Sequence, residues 1–201
     1  NQLNEKTNIH WHGLKIPANM DRHPEDFVNA GGTFNYNFTV NQRAGLYWYH
    51  PHAEGTTGKQ VFQGVAGLII VNDSEEEALN LPSGIRELPL VIQDKRISAG
   101  SIPYAPTMME QMTGLMGQYI LVNGVYAPSH NVETAKYRVR ILNGSNARIY
   151  NLALSNGASF TVIGNDGGLL ATPQTVNSLI IAPGERADLI IDFSTMTLNS
   201  E

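Results

Sequence analysis

The sequence predicts an all-β protein, a β-sandwich or barrel fold in two units. Three observations carry that prediction. Apolar runs are short and rich in Val and Ile, and several alternate with polar residues, the period-two pattern of half-buried strands. Nineteen glycines and ten prolines punctuate them, as turns between short strands require. Only one segment, Pro106 to Gly117, has a helix-like pattern. The 201 residues suffice for one large or two small domains with buried cores.

Taken in order, Asn1 to Asn8 reads as the approach to a strand. Residues 33–40, TFNYNFTV, alternate apolar and polar side chains and predict a half-buried strand. After a turn at Gln42 to Gly45, GLYWYH (45–50) predicts the next strand. The run Val65 to Val71 predicts a buried core strand. From Asp73 to Gly84 the chain is acidic, carries Pro82 and Gly84 and has no strand pattern, so Glu75 to Glu77 is read as a solvated run. The expected organisation is a first domain at 1–74, a linker at 75–86 and a second domain at 87–201.

In the second domain, ELPLVIQDKRI (87–97) predicts a strand, and YILVNGVYAP (119–128) a strand leading into an Asn123-Gly124 turn. KYRVRILNGS (136–145) alternates over Tyr137 to Leu142. YNLALSN, SFTVIGNDGG and NSLIIAPGERADLIIDFS continue the pattern. Asn143-Gly144 and Asp166-Gly167-Gly168 are read as turns.

Net charge is −5 with no basic cluster, which argues against a nucleic-acid partner. No apolar run is long enough for a membrane span, and no signal peptide is visible. Cysteine is absent, which removes disulfides, thiolate catalysis and Cys-based metal sites from this chain.

The chemistry concentrates in two H-x-H pairs. TNIHWHG carries His10 and His12, and YWYHPHAEG carries His50 and His52, four of the six histidines. In a strand, residues i and i+2 face one side, roughly 7 Å apart at about 3.3 Å rise per residue. Two such strands side by side converge four imidazoles. With no thiolate and few carboxylates nearby, that donor set suits Cu, Zn, Fe or Ni. A mononuclear zinc site is disfavoured because no water-activating acid accompanies the pairs. Trp11 and Trp48 are expected to wall the site, Pro51 to restrain the second pair, and Gly13 and Gly55 to permit close backbone approach. His23 and His130 each stand beside Pro in a loop-like stretch and read as solvated. Met108, Met109, Met112 and Met116 offer soft sulfur for Cu(I), but their spacing also fits an ordinary apolar helix face.

The phrases TNIHWHGL, GLYWYHPHAEGTTGKQVFQGVAGLIIV, RVRILNGSNARIYNLAL, VIGNDGGLL and LIIAPGERADLIIDF resemble the bacterial multicopper oxidases, in the laccase-like and cuprous oxidase branch with three cupredoxin domains. The resemblance implies two Greek-key cupredoxin-like β-sandwich domains, both truncated. It implies that His10 resembles a type 2 copper ligand and that His12, His50 and His52 resemble type 3 ligands, with His50 and His52 on different coppers. Asp21 resembles the family acid that helps deliver protons to bound oxygen; read without the family, it is equally a turn aspartate. The implied activity is one-electron oxidation of phenols, aromatic amines or Cu(I) coupled to reduction of dioxygen to water, in the periplasm or outside the cell. The family's H-C-H segment, with its type 1 copper and remaining cluster ligands, has no counterpart here, so a missing third cupredoxin domain is an expected partner and the chain alone is expected to be inactive. The alternative is a non-enzymatic copper-binding or structural cupredoxin module.

Overall fold

The computed structural model describes residues 1–196. In chain order the strands are β1 (His10–His12), β2 (Gly45–His50), β3 (Gly67–Val71), β4 (Glu87–Lys95), β5 (Tyr119–Val122), β6 (Val125–Tyr126), β7 (Lys136–Asn143), β8 (Tyr150–Ala153), β9 (Phe160–Asn165), β10 (Gly168–Val176), β11 (Ser178–Ile181) and β12 (Arg186–Asp192). Four short helices join them: α1 (Ala18–Asp21), α2 (Thr57–Phe62), α3 (Ser74–Glu77) and α4 (Met108–Thr113). The chain is an all-β protein, as its turn-punctuated pattern predicts.

The first sheet is β1-β2-β3, antiparallel throughout. The run at 65–71 forms β3, but as a half-buried edge with Ile70 open to solvent rather than a core strand. Residues 33–40 are the second departure: they form no ladder. Their alternation still has a physical meaning. Phe34 meets Tyr36 edge-on, while Tyr36 and Phe38 pack against the Trp11 ring at 5.3 and 5.2 Å. The period-two pattern therefore describes a face without a strand partner.

The second sheet has seven strands in the order β10-β9-β12-β7-β4-β5-β6, with β4 and β7 parallel. The two-stranded sheet β11-β8 packs onto it through Tyr150 and Ile181, which share one core with Ile92, Val139, Ile141 and Leu189. Each such side chain contributes about 1.5–3 kcal/mol on full burial. Asn123 and Gly124 both take positive φ (50° and 80°) between β5 and β6, the turn the Asn-Gly pair predicts. Asp166 and Gly167 likewise close the β9–β10 hairpin. Asn143-Gly144 is no hairpin. Asn143 ends β7 fully buried, and its side chain holds the Arg148 and Ile181 carbonyls and the Ser145 N–H.

β7 corrects a further expectation. Its alternation suggests one wet face, yet Arg138 and Arg140 are both buried. They meet Glu76, the one buried residue of the acidic run, together with Asp188 and Glu87. Glu75 and Glu77 are solvated, as read from sequence, and Glu76 is not. Asp73 caps α3 by accepting from the Glu76 N–H, which aims that side chain at the arginines.

α4 falls inside Pro106 to Gly117 and starts with a capping box between Thr107 and Glu110. The methionines of this segment do not form a core face: Met108, Met109 and Met112 of α4, and Met116 beyond it, are all exposed. The other helices are too short to leave a periodic signal.

Three side-chain donors from β4 and the residues after it reach main-chain carbonyls of α2 and β2. Lys95 Nζ donates to Val61 O (3.1 Å), Asn146 Nδ2 to Gly58 O (2.7 Å) and Arg186 Nε to Leu46 O (3.1 Å). Lys95 is almost fully buried, and burial holds its ammonium down to about 8, opposed by the charge of Asp94.

Two predictions follow from these buried charges. The folded state disfavours the Lys95 charge, so between pH 8 and the unfolded value near 10.5 the unfolded chain holds more protons. The Lys95 contribution to stability therefore rises as pH rises through that window. Denaturant unfolding of the native chain and of Lys95→Met from pH 7 to 10.5 should give a difference that shifts toward the native chain by up to about 3 kcal/mol. The second concerns Glu76. Glu76→Ala leaves two buried guanidiniums short of a partner and should cost about 3 kcal/mol in urea unfolding. Glu77→Ala, one residue along, should stay within about 0.5 kcal/mol of native.

Candidate metal centre

The site begins with register. β1 and β2 pair antiparallel with His10↔His50, Trp11↔Tyr49 and His12↔Trp48. Side chains alternate across a strand, so His10, His12, His50 and Trp48 project from one face. Trp11 and Tyr49 project from the other, where Trp11 joins Tyr36 and Phe38. Trp48 therefore walls the histidines, its ring 4.3 Å from His50 and 5.0 Å from His12. Trp11 does not, contrary to the expectation from sequence, because an odd position on a strand faces away.

All four paired histidines gather. Ring centroids of His10 lie 5.5, 5.1 and 5.2 Å from those of His12, His50 and His52. His10, His12 and His50 form the tighter group, with one ring nitrogen of each within 4.8 Å of the others. His52 stands at the margin, 6.0 Å from His50. His23 and His130 are exposed, as a solvated reading requires.

Hydrogen bonds choose which nitrogens are free. His50 Nδ1–H donates to the Pro51 carbonyl (2.9 Å), leaving Nε2 with its lone pair. His10 Nδ1–H donates to Asp21 Oδ1 (2.8 Å), leaving Nε2 likewise. Asp21 Oδ1 also accepts from the Trp11 N–H (3.1 Å), which fixes the carboxylate beside β1. His12 Nδ1 and His50 Nε2 face each other across 3.2 Å. Two nitrogens each about 2.0–2.1 Å from one ion at a near-tetrahedral angle are separated by about the same distance. The donor set fits a borderline or soft transition-metal ion held by neutral imidazoles.

Burial supports that state. His12 and His50 are each held down to about 4, first by burial; the Arg186 charge adds to this at His12, while the Pro51 bond opposes it at His50. His52 is lowered too, chiefly by burial. These three imidazoles are neutral at pH 7, as metal ligands must be.

The glycines divide. A Cβ on Gly13 would sit 2.9 Å from the Tyr47 ring, and its φ is +85°, so both space and conformation require glycine. Gly55 has φ +77° with open space around it, so it serves the turn and not a close approach. Sequence reasoning missed Asn8, which is 1% exposed and accepts from the His52 N–H. It also missed Arg186, whose charge reaches His12 from the second sheet. Neither carries a local motif; both act on residues distant in the chain.

Comparison with known proteins agrees with this geometry. Two family models described as multicopper oxidase match residues 1–76 and 98–199. A multicopper oxidase, mco, from Staphylococcus epidermidis is 41% identical over 98% of this chain and 43% of its own length. The cell division protein FtsP of Pectobacterium atrosepticum is 36% identical over 96% of this chain and 41% of its own. The solved structure of a laccase-like multi-copper oxidase, CueO, from Ochrobactrum superposes with a TM-score of 0.93 at 37% identity, covering 98% of this chain and 45% of that one. The chain thus spans less than half the length of the relatives it matches. Sequence, strand architecture and the converging imidazoles lead to one assignment: this chain belongs to the multicopper oxidase family.

Proposed function

We propose that this chain supplies the histidine half of a copper cluster in an enzyme that couples one-electron oxidation of phenols, aromatic amines or Cu(I) to reduction of dioxygen to water. The observation that carries the reading is the convergence of His10, His12 and His50 nitrogens within 4.8 Å, with His52 beside them. His12 and His50 would share one type 3 ion, since His12 Nδ1 and His50 Nε2 face each other at 3.2 Å. His10, tied to Asp21, would hold the type 2 ion, and His52 the second type 3 ion. Bound copper supplies the one-electron steps that dioxygen reduction needs.

The chain's own groups prepare that chemistry. The Pro51 carbonyl and the Asp21 carboxylate fix two imidazole tautomers and orient the rings. Trp48 excludes water from one side of His12 and His50. The Asp21 side chain is one-third exposed while bonded to His10, so it links solvent protons to the edge of the cluster.

The electron entry site and the remaining cluster ligands lie on residues outside this chain, which contains no cysteine. We place the boundary at 75–86, between the sheet ending at Val71 and the one starting at Glu87, with α3 bridging them through Glu76. Periplasmic or extracellular placement suits oxidase chemistry; among the described residues no helix is long and apolar enough to cross a membrane. The alternative, a non-enzymatic copper-binding or structural cupredoxin module, is not favoured by the multicopper oxidase and laccase relatives.

Copper binding and oxygen uptake test this. Dialysed against Cu(II), the chain should bind copper without intense blue absorption, because it has no thiolate. His12→Ala and His50→Ala should each lose copper by metal analysis, whereas His130→Ala should retain it; equal loading in all of them would refute the site. Phenol-dependent oxygen uptake should be absent from the copper-loaded chain alone. Asp21→Asn keeps an acceptor for the Trp11 N–H but not the charge beside His10, and should weaken copper binding roughly tenfold. Chelator competition measures it.

A further inference from the structure

Paired positions on β1 and β2 follow one register, His10↔His50 and His12↔Trp48, and its next step places residue 8 opposite residue 52. The strand pairing ends at His10↔His50. One step further, a side chain takes over. Asn8 Oδ1 accepts the His52 N–H at 2.7 Å, while Nδ2 donates to the carbonyls of His23 (3.1 Å) and Asp26 (3.4 Å). Asn8 is 1% exposed, so these bonds form out of contact with bulk water, where an unmet partner is costly.

The three bonds join three segments that matter to the site. One is the start of β1, ahead of His10. One is the loop directly after Asp21. The third is the Pro51-His52 turn, where Pro51 has no N–H of its own to give. The neighbouring residue, Thr7, pairs with Val28 and donates to Gln60 of α2, so the segment carrying Asn8 is itself anchored. Asn8 thus has a fixed base and sets two distances: that of His52 from His10, and that of the Asp21 loop from β1.

We propose that Asn8 is a positioning residue of the metal centre, holding His52 in reach of the ion that the His10–His12–His50 group does not complete. The inference rests on the copper reading above and adds a residue to it. Asn8 touches no ion; it acts through the His52 backbone.

The test compares Cu(II) affinity, by chelator competition, and the Cu(II) electron paramagnetic resonance spectrum with thermal stability. Five proteins are needed: the native chain, Asn8→Ala, Asn8→Asp, His52→Ala and Asn143→Ala. Asn143 is as deeply buried, and its side chain bonds the Arg148 and Ile181 carbonyls and the Ser145 N–H but nothing at the metal centre, so it reports a purely structural loss. Asn8→Ala should weaken copper binding about tenfold or more and move the spectrum toward that of His52→Ala. Asn8→Asp keeps the acceptor for the His52 N–H and should recover most of the affinity while melting earlier. Asn143→Ala should melt earlier with native affinity and spectrum. Native copper behaviour in Asn8→Ala, with His52→Ala impaired, overturns the inference and leaves the copper site standing. If Asn8→Ala does not fold, an Asn8→Asp chain with the His52→Ala spectrum overturns it equally. No copper binding by the native chain overturns the site and this inference together.

Discussion

The pairing of β1 with β2 is the constraint on which the rest depends. It is short, three residue pairs, yet it sets the register that puts His10 opposite His50 and His12 opposite Trp48. A slip of one residue would turn one H-x-H pair to the opposite face and dissolve the cluster. Such a short pairing cannot hold its register by hydrogen bonds alone. Packing on the far face does part of that work, where Trp11 meets Tyr36, Phe38 and Tyr49. The near face is finished by Asp21, which bonds both the Trp11 N–H and the His10 ring.

A second layer of constraint comes from the seven-stranded sheet. Lys95 of β4, Asn146 of the loop after β7 and Arg186 of β12 donate respectively to carbonyls of Val61, Gly58 and Leu46. Two of those carbonyls belong to α2, whose Gln60 in turn holds the approach to β1. The Arg186 guanidinium pins β2 and, by its charge, disfavours a proton on His12. Stability and ligand readiness thus use the same groups. Glu76 adds a buried ionic contact to Arg138 and Arg140, a costly arrangement to desolvate and one that tolerates little misalignment.

What could be read from the sequence was what is local. The H-x-H spacing works at period two, so it announced a shared face without any partner being known. The Asn123-Gly124 and Asp166-Gly167 turns follow from backbone preferences of the residues themselves. What could not be read depends on distant pairing. Residues 33–40 alternate like a strand, but whether they find a ladder is decided elsewhere in the fold. Arg138 is buried because Glu76, 62 positions away, comes to meet it. Asn8 bonds positions 23, 26 and 52, a combination no motif displays. The methionines of α4 looked like a core face because helical spacing cannot say which side solvent is on.

The central claim is that one face of a short strand pair is a copper site. A crystal of the copper-soaked chain, with anomalous difference maps on both sides of the copper absorption edge, tests it most directly. The account predicts edge-dependent density within about 2 Å of both His12 Nδ1 and His50 Nε2, in place of their contact across 3.2 Å. Edge-dependent density confined to other residues, with that His12–His50 contact unchanged, would contradict it.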